Sequence, residues 1–276
     1  ENSSPLGVGE DEVVIFFVHG SMGHMQQFEH QILYCVSKGW TVVAFDAYGC
    51  GESPKPHDWD AYSHEEQFED LKAVYSMYKG RRNFLVGHSY GSSMSLQLCA
   101  AMGGDGCIPG LVLIGPGFGP SHFPSKSVKI FRNPVILLQL LAPLLRRGFI
   151  QRALHRETLE RKTVEHQRLV ERIAAKQGSN AMHICKSFYT QMEWVIPETI
   201  QKVDADVVLV VGEGDKMLPP HNAACLADLL RTQRPQRETE LFVLNNSSHQ
   251  VMQELPNDVN KLLDAFVVRT LKTRRV

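Results

Sequence analysis

The chain has 276 residues, 43% of them apolar, and a formal net charge of −1. That is enough to bury one large core, while no net field draws the molecule to nucleic acid or to an acidic surface, so a nucleic-acid binder is not indicated. No repeat and no long Gly/Ser/Pro linker divides it, and one domain with an insertion is expected.

Glu1 to Gly7 carry no basic n-region and no apolar h-region, so neither a signal peptide nor a spanning helix is visible there. The first apolar run, Val13 to Val18, follows almost at once, which raises a longer chain trimmed at its start. The expected location is the cytoplasm or the periphery of an intracellular membrane. Further β-branched and aromatic runs recur at Thr41 to Phe45, Asn83 to Val86, Leu111 to Ile114, Asp206 to Val211 and Glu240 to Leu244. They lack alternation, as strands do when helices cover both faces of a parallel sheet. Helical periodicity fills gaps between them, with Phe68, Leu71, Val74 and Tyr78 on one face of Glu65 to Tyr78, and Leu262, Leu263 and Phe266 on one face of Val259 to Leu271. The predicted architecture is therefore α/β, a mostly parallel twisted sheet with helices on both faces. The rhythm breaks once, from about Pro116 to Ile200, where no strand is expected. The predicted organisation is a first core part over 1–115, a helical cap over 116–200 and a second core part over 201–276.

The pentapeptide Gly87-His88-Ser89-Tyr90-Gly91 stands between the run ending at Val86 and the helix-like Ser92 to Leu98. A serine forced into a tight strand-to-helix turn presents its hydroxyl away from the backbone, beside a helix N-terminus that favours negative charge. Both flanking glycines are needed because a side chain there would collide with neighbouring elements. The bland alternative is an ordinary helix cap. A nucleophilic serine needs a histidine to take its proton and an acid to orient that histidine. Asp215 and His249 fit, each just after a strand, in Gly212 to Pro219 and Asn245 to His249. Glu213 and Asp206 lie too close to or inside the strand, and His221 sits in a helix start. Backbone donors for a tetrahedral oxyanion are expected from Tyr90 and from the loop His19 to Gly23, with Ser21 preferred to Met22.

His19-Gly20, Asp46 to Ser53, Gly87 to Gly91, Asp215 and His249, in this order, resemble the α/β-hydrolase superfamily over nearly the whole chain. Within it the chain resembles the abhydrolase domain-containing serine hydrolases. The resemblance implies the fold, a serine-hydrolase mechanism and a helical lid, but no substrate. Three departures stand beside it. The first two strands of the usual eight are expected to be absent or replaced by the short N-terminal segment. His249 is followed by Glu254 where lipid-active relatives with a His-x4-Asp motif have Asp, which argues against acyl transfer. Position 89 is not the Asp nucleophile used in epoxide opening or halide removal.

Neither a metal nor a nucleotide cofactor is expected. His24, His30, His57, His64 and His122 lack ligand spacing, and Gly49-Cys50-Gly51 lacks the third glycine of a dinucleotide loop. The six cysteines, including Cys107, are scattered and read as reduced thiols. His88 and His19 are expected to pack and brace, and Asp46 with Ser53 to hold a turn. In the cap, Val135 to Leu145 is apolar, and Pro143 breaks it too early to span a bilayer. It is expected to pack on the core. The other reading has one face lining an acyl tunnel or touching a membrane surface, in keeping with an excess of about seven positive charges between Ser121 and Ile200. Met22, Met217 and Trp194 are the expected substrate contacts, and Phe188, Tyr189 and Met192 further candidates for the pocket wall.

The expected function is a serine hydrolase cleaving a carboxylic ester with an apolar portion, a lipid among the candidates, through an acyl-enzyme. Thioester or amide cleavage would use the same residues. The competing class is a ligand-binding or scaffolding protein that keeps the fold without useful turnover.

Overall fold

The computed structural model describes residues 13–102, 108–117 and 129–273; Cys107 and His122 lie outside them. Six strands form one parallel sheet in the order β2-β1-β3-β4-β5-β6, with β1 Val13–Val18, β2 Thr41–Ala44, β3 Arg82–His88, β4 Gly110–Ile114, β5 Asp206–Gly212 and β6 Thr239–Leu244. Every pairing is parallel, and Gly87 at the end of β3 lies opposite Val18 and Leu113. The expected α/β architecture is present.

Continuous apolar strands are explained by the two cores they serve. Val14 and Phe16 of β1, with Val207 and Leu209 of β5, face one core, while Ile15 and Phe17, with Val208 and Val210, face the other. Successive side chains point to opposite sides, so a strand covered on both sides must be apolar at every position. Helices α2 (His64–Tyr78), α3 (Tyr90–Ala101) and α7 (Pro220–Gln233) close the first core through Leu71, Leu96 and Leu226. Helices α1 (Glu29–Ser37) and α8 (Pro256–Thr273) close the second, where Val259, Leu263 and Phe266 are each at most 2% exposed. Each such side chain contributes about 1.5–3 kcal/mol.

Between β4 and β5 the described residues form helices only, chiefly α4 (Val135–Ala153), α5 (Val164–Ser179) and α6 (Met182–Gln191). This insert has a small core of its own, in which Leu154, Leu169, Val170 and Ile173 gather beneath Phe149. Contrary to the break expected at Pro143, α4 runs through it as one helix of 19 residues. The proline removes one backbone donor, but its ring lies on the exposed side, where solvent and not a packed neighbour meets the irregularity. Leu138 and Ala142 are buried, whereas Ile136, Leu140 and Leu144 are 73%, 74% and 68% exposed. The helix therefore packs on the core along one edge and leaves an apolar edge uncovered. Among the described residues, no helix is long and apolar enough to cross a membrane.

Candidate active site

Ser89 occupies the turn between β3 and α3 with φ 54° and ψ −119°. A non-glycine residue in this region is strained, and the strain is held by packing on every side. A β-carbon added at Gly87 would lie 2.5 Å from the Gly91 carbonyl oxygen, and one at Gly91 would lie 2.1 Å from the Val18 carbonyl oxygen. The Ser89 N–H donates to Ile114 O at 2.8 Å, and the Ser89 carbonyl accepts from Ser92 N–H at 3.0 Å. Ser89 itself is 7% exposed.

His249 and Asp215 meet across the loops that follow β6 and β5. The Nδ1 of His249 lies 2.8 Å from one Asp215 oxygen, and the other oxygen accepts from Met217 N–H and Leu218 N–H, each at 2.8 Å. The carboxylate is thus turned toward the imidazole by two backbone donors, and both residues are buried. Gly115, at φ 52° just after β4, leaves room for the pair: a β-carbon there would lie 3.2 Å from the His249 Nδ1. Sequence reasoning passed over Gly115, although its place after an apolar strand was a signal.

The His88 ring lies tilted at 49° to that of His249, 4.7 Å between centroids, and its Nε2–H donates to the His249 carbonyl at 2.9 Å. Gln27 Nε2 donates to its Nδ1 at 3.2 Å. Burial holds the His88 imidazole well below its ordinary pKa, so it is a neutral spacer that fixes the His249 backbone. His19 is also buried with a lowered pKa; its Nδ1–H donates to Gly20 O and its Nε2 accepts from Ala47 N–H. Asp46 accepts from Met25 N–H and Glu52 N–H, tying the loops after β1 and β2 together.

The loop after β1 passes close to the serine, since a β-carbon at Gly20 would lie 3.0 Å from that of Ser89. Ser21 follows, and then Met22, which is 3% exposed at φ 53° and has its carbonyl held by Asn180 Nδ2 at 3.0 Å. Tyr90 sends its ring away from the serine to pack against Phe188 and Trp194, with its hydroxyl 2.7 Å from His64 Nδ1.

A cavity of about 140 Å³ opens at Ser89 and His249, and Ser21, Met22, Met217 and Trp194 all line it. Asp215 stands behind His249. Of the further wall candidates, Tyr189 lines this cavity and Phe188 lines a separate one beside Tyr90. Leu145 of α4 lines the Ser89 cavity, in keeping with the acyl-tunnel reading of Val135 to Leu145; not singled out as wall residues were Ile130, Phe131 and Met182, or Arg146, Phe149 and Arg152 of α4. The α4 set was legible in principle, because positions 145, 149 and 152 share a helix face. A second, polar hollow of about 40 Å³ meets the first at Ser21, Ser89 and His249 and is lined by His24, Gln27, Gln250 and Gln253. It has room for about three waters. Cys185 also lines the larger cavity, but burial pushes its thiol up to about 12, which leaves it without thiolate character at neutral pH. Among the described residues no cluster of three or more His, Cys, Asp or Glu could hold a metal ion.

Glu254, five residues past His249, is engaged elsewhere. Its oxygens accept from His155 N–H at 2.7 Å, Thr158 Oγ1 at 2.8 Å and Ser248 N–H at 2.6 Å, joining the insert to the loop of His249.

A parallel sheet with a strained serine turn after its third strand defines an α/β hydrolase. Solved structures agree on the fold: an esterase from Exiguobacterium antarcticum superposes with a TM-score of 0.77 at 17% identity, covering 94% of this chain and 93% of the other. Est816, described as an N-acyl homoserine lactone degrading enzyme, gives 0.75 at 23% identity, with 93% of each chain covered. Residues 9–256 match the family described as serine aminopeptidase, S33, and the chain belongs to that family of hydrolases. It is 30% identical over 261 residues to protein ABHD8 of Homo sapiens, covering 93% of this chain and 55% of that protein. The chain thus spans about half the length of this relative. Epoxide hydrolase 3 of Xenopus tropicalis is 25% identical over 268 residues, covering 92% of this chain and 71% of the relative.

Proposed function

We propose that this chain is a serine hydrolase cleaving carboxylic esters with an apolar acyl part through an acyl-enzyme. The observation that carries the reading is the convergence of Ser89, strained at φ 54°, and His249, paired at 2.8 Å with Asp215, on one cavity. Ser89 Oγ attacks the ester carbonyl carbon while its proton passes to His249 Nε2, and Asp215 holds Nδ1–H and stabilises the imidazolium. The N–H groups of Ser21 and Tyr90 receive the tetrahedral oxyanion. Collapse breaks the acyl C–O bond, and the proton on His249 goes to the departing alcohol. Water from the polar hollow then attacks the acyl-enzyme, giving its proton to His249, and the acid leaves as Ser89 regains its hydrogen. The inserted helices act as a cap, and Met22, Met217 and Trp194 contact the substrate.

A cavity of about 140 Å³ is the size that holds a benzene-like group, so it takes the reacting ester and the first carbons of the chain. The names of the solved esterases and of the S33 family agree with acyl transfer to water, from ester or amide. The exposed edge Ile136, Leu140 and Leu144, flanked by the exposed Arg132 and Arg147, is matched in charge and polarity to an anionic lipid surface.

Intact-mass measurement after exposure to a fluorophosphonate tests the reading. One adduct is expected, absent in Ser89→Ala, together with a fall in ester turnover of about 10⁴- to 10⁶-fold in that variant. An unlabelled wild-type protein that binds a partner stoichiometrically would put the scaffolding class in its place.

A further inference from the structure

Three cations open onto the cavity that holds Ser89: Arg146 and Arg152 from α4, and Lys216 from the loop after β5. Among the described residues no Asp or Glu lines it. Elsewhere on the molecule cations find carboxylates readily. Arg172 meets Glu29 at 2.7 Å, Lys38 meets Asp264 at 2.9 Å, and Lys176, at the neighbouring polar hollow, meets Glu52 at 3.2 Å. The three cavity cations form no ion pair among the described residues. Arg146 spends one Nη on the Asn180 carbonyl at 3.2 Å, and Arg152 its Nε on the Gly148 carbonyl at 3.1 Å. The Nε–H of Arg146 is buried and has no acceptor among the described residues. A guanidinium donor buried without an acceptor at a cavity wall is destabilising unless a ligand supplies one. The rest of the wall, with Ile130, Phe131, Met182 and Leu218, is apolar.

Resting on the hydrolase reading above, we infer that the substrate is an anionic amphiphile: an ester that carries a carboxylate or phosphate a few bonds from the scissile carbonyl and is held by Arg146 and Arg152, with Lys216 adding charge. Asn180 keeps Arg146 in place by accepting from its Nη and by donating to the Met22 carbonyl at 3.0 Å, which couples anion binding to the loop of Ser21. Two planar guanidinium groups lining one cavity suit an oxyanion better than a neutral hydroxyl, because each offers paired donors and a full charge.

The test compares hexanoylglycerol with three charged esters of similar size: hexanoylglycerol 3-phosphate, the hexanoyl ester of glyceric acid, and glycerol hydrogen adipate. The first two place phosphate or carboxylate on the alcohol side, and the third places carboxylate on the acyl side. At least one charged ester should exceed the neutral one about tenfold or more in kcat/KM at low salt, with the gap narrowing in 0.5 M salt. In Arg146→Gln/Arg152→Gln the ratio should fall toward one, chiefly through KM, and Arg146→Lys should restore part of it. Fluorophosphonate labelling of Ser89 in the same samples separates the two readings. An enzyme that labels but favours the neutral ester, treats all four alike, or cleaves none overturns the anion assignment alone. A serine that does not label overturns both.

Discussion

The loops at the carboxyl end of the sheet and the helices laid across them differ in how many constraints hold each side chain. Around Ser89 backbone meets backbone: the added β-carbon at Gly91 has 2.1 Å to a carbonyl oxygen of β1, and Asp215 is fixed by two N–H donors before it meets His249. Across the cavity, α4 is buried only at Leu138, Ala142 and Ala153 along its 19 residues, and two of the side chains it sends to the cavity wall, Arg146 and Arg152, are rich in rotamers. Reacting atoms need placement within about half an ångström, which rigid backbone supplies. A wall that admits and releases an amphiphile needs side chains that can move. On the proposed function, the chemistry belongs to the sheet and the selection to the insert.

Four measurements sharpen or break this division. The largest effect belongs to Asp215→Asn, which keeps the shape of the turn but removes the charge facing His249; kcat should fall about 10³- to 10⁴-fold while the thermal midpoint stays within a few degrees. Gly91→Ala comes next, because the new β-carbon meets carbonyl oxygens of Val18 and His19 that belong to the strand end and its loop. A loss of about 3 kcal/mol or more in urea unfolding is expected, and a loss below 1 kcal/mol would mean the turn is less constrained than its contacts imply.

The third concerns pH. Burial, with Lys176 nearby, lowers the His24 pKa from 6.5 to about 4, and its Nδ1 is buried without a partner among the described residues. The unfolded chain then binds a proton that the folded chain refuses between those two values, so this contribution is intact above about pH 6.5 and is lost as the pH falls toward 4. Because His24 is partly exposed, the loss is about 1–2 kcal/mol, smaller than the full shift would give. Urea unfolding at pH 7 and pH 4.5 should therefore differ less in His24→Gln than in wild type. The smallest effect on stability is expected for Ile136→Ser/Leu140→Ser/Leu144→Ser, within about 0.5 kcal/mol because these side chains are already in water. Co-sedimentation with vesicles containing phosphatidylserine should nonetheless fall several-fold. Unchanged sedimentation would remove the lipid surface as the reason for that exposed edge.

Much of the core was legible because its signals are local. All six strand runs lie at the predicted places to within a residue or two, since a strand covered on both faces must be apolar throughout and turn residues bound it. Ser89, His249 and Asp215 were legible for a related reason: each sits directly after such a strand, and parallel strands bring their carboxyl ends to one edge of the sheet. Gly87 and Gly91 announce a close approach even before the partner backbone is known. The insert was far less readable. Its helical content shows in the periodicity, but continuity through Pro143 does not, because whether a helix runs on past a proline depends on what meets its ring and the freed carbonyl, which packing decides.

By itself, the amino-acid sequence determined the parallel sheet, the strained turn at Ser89 and the loops that bear Asp215 and His249, because these follow from patterns a few residues long. Only the tertiary structure decided that Arg146 and Arg152 share a cavity with Ser89, that Gly115 makes room for His249, and that Glu254 is bound to Ser248, Thr158 and His155. Apart from Glu254 with Ser248, which are close in the chain, those relations join residues about 57 to 134 positions apart, and the free energy that sets them comes from packing between elements, which no single segment encodes.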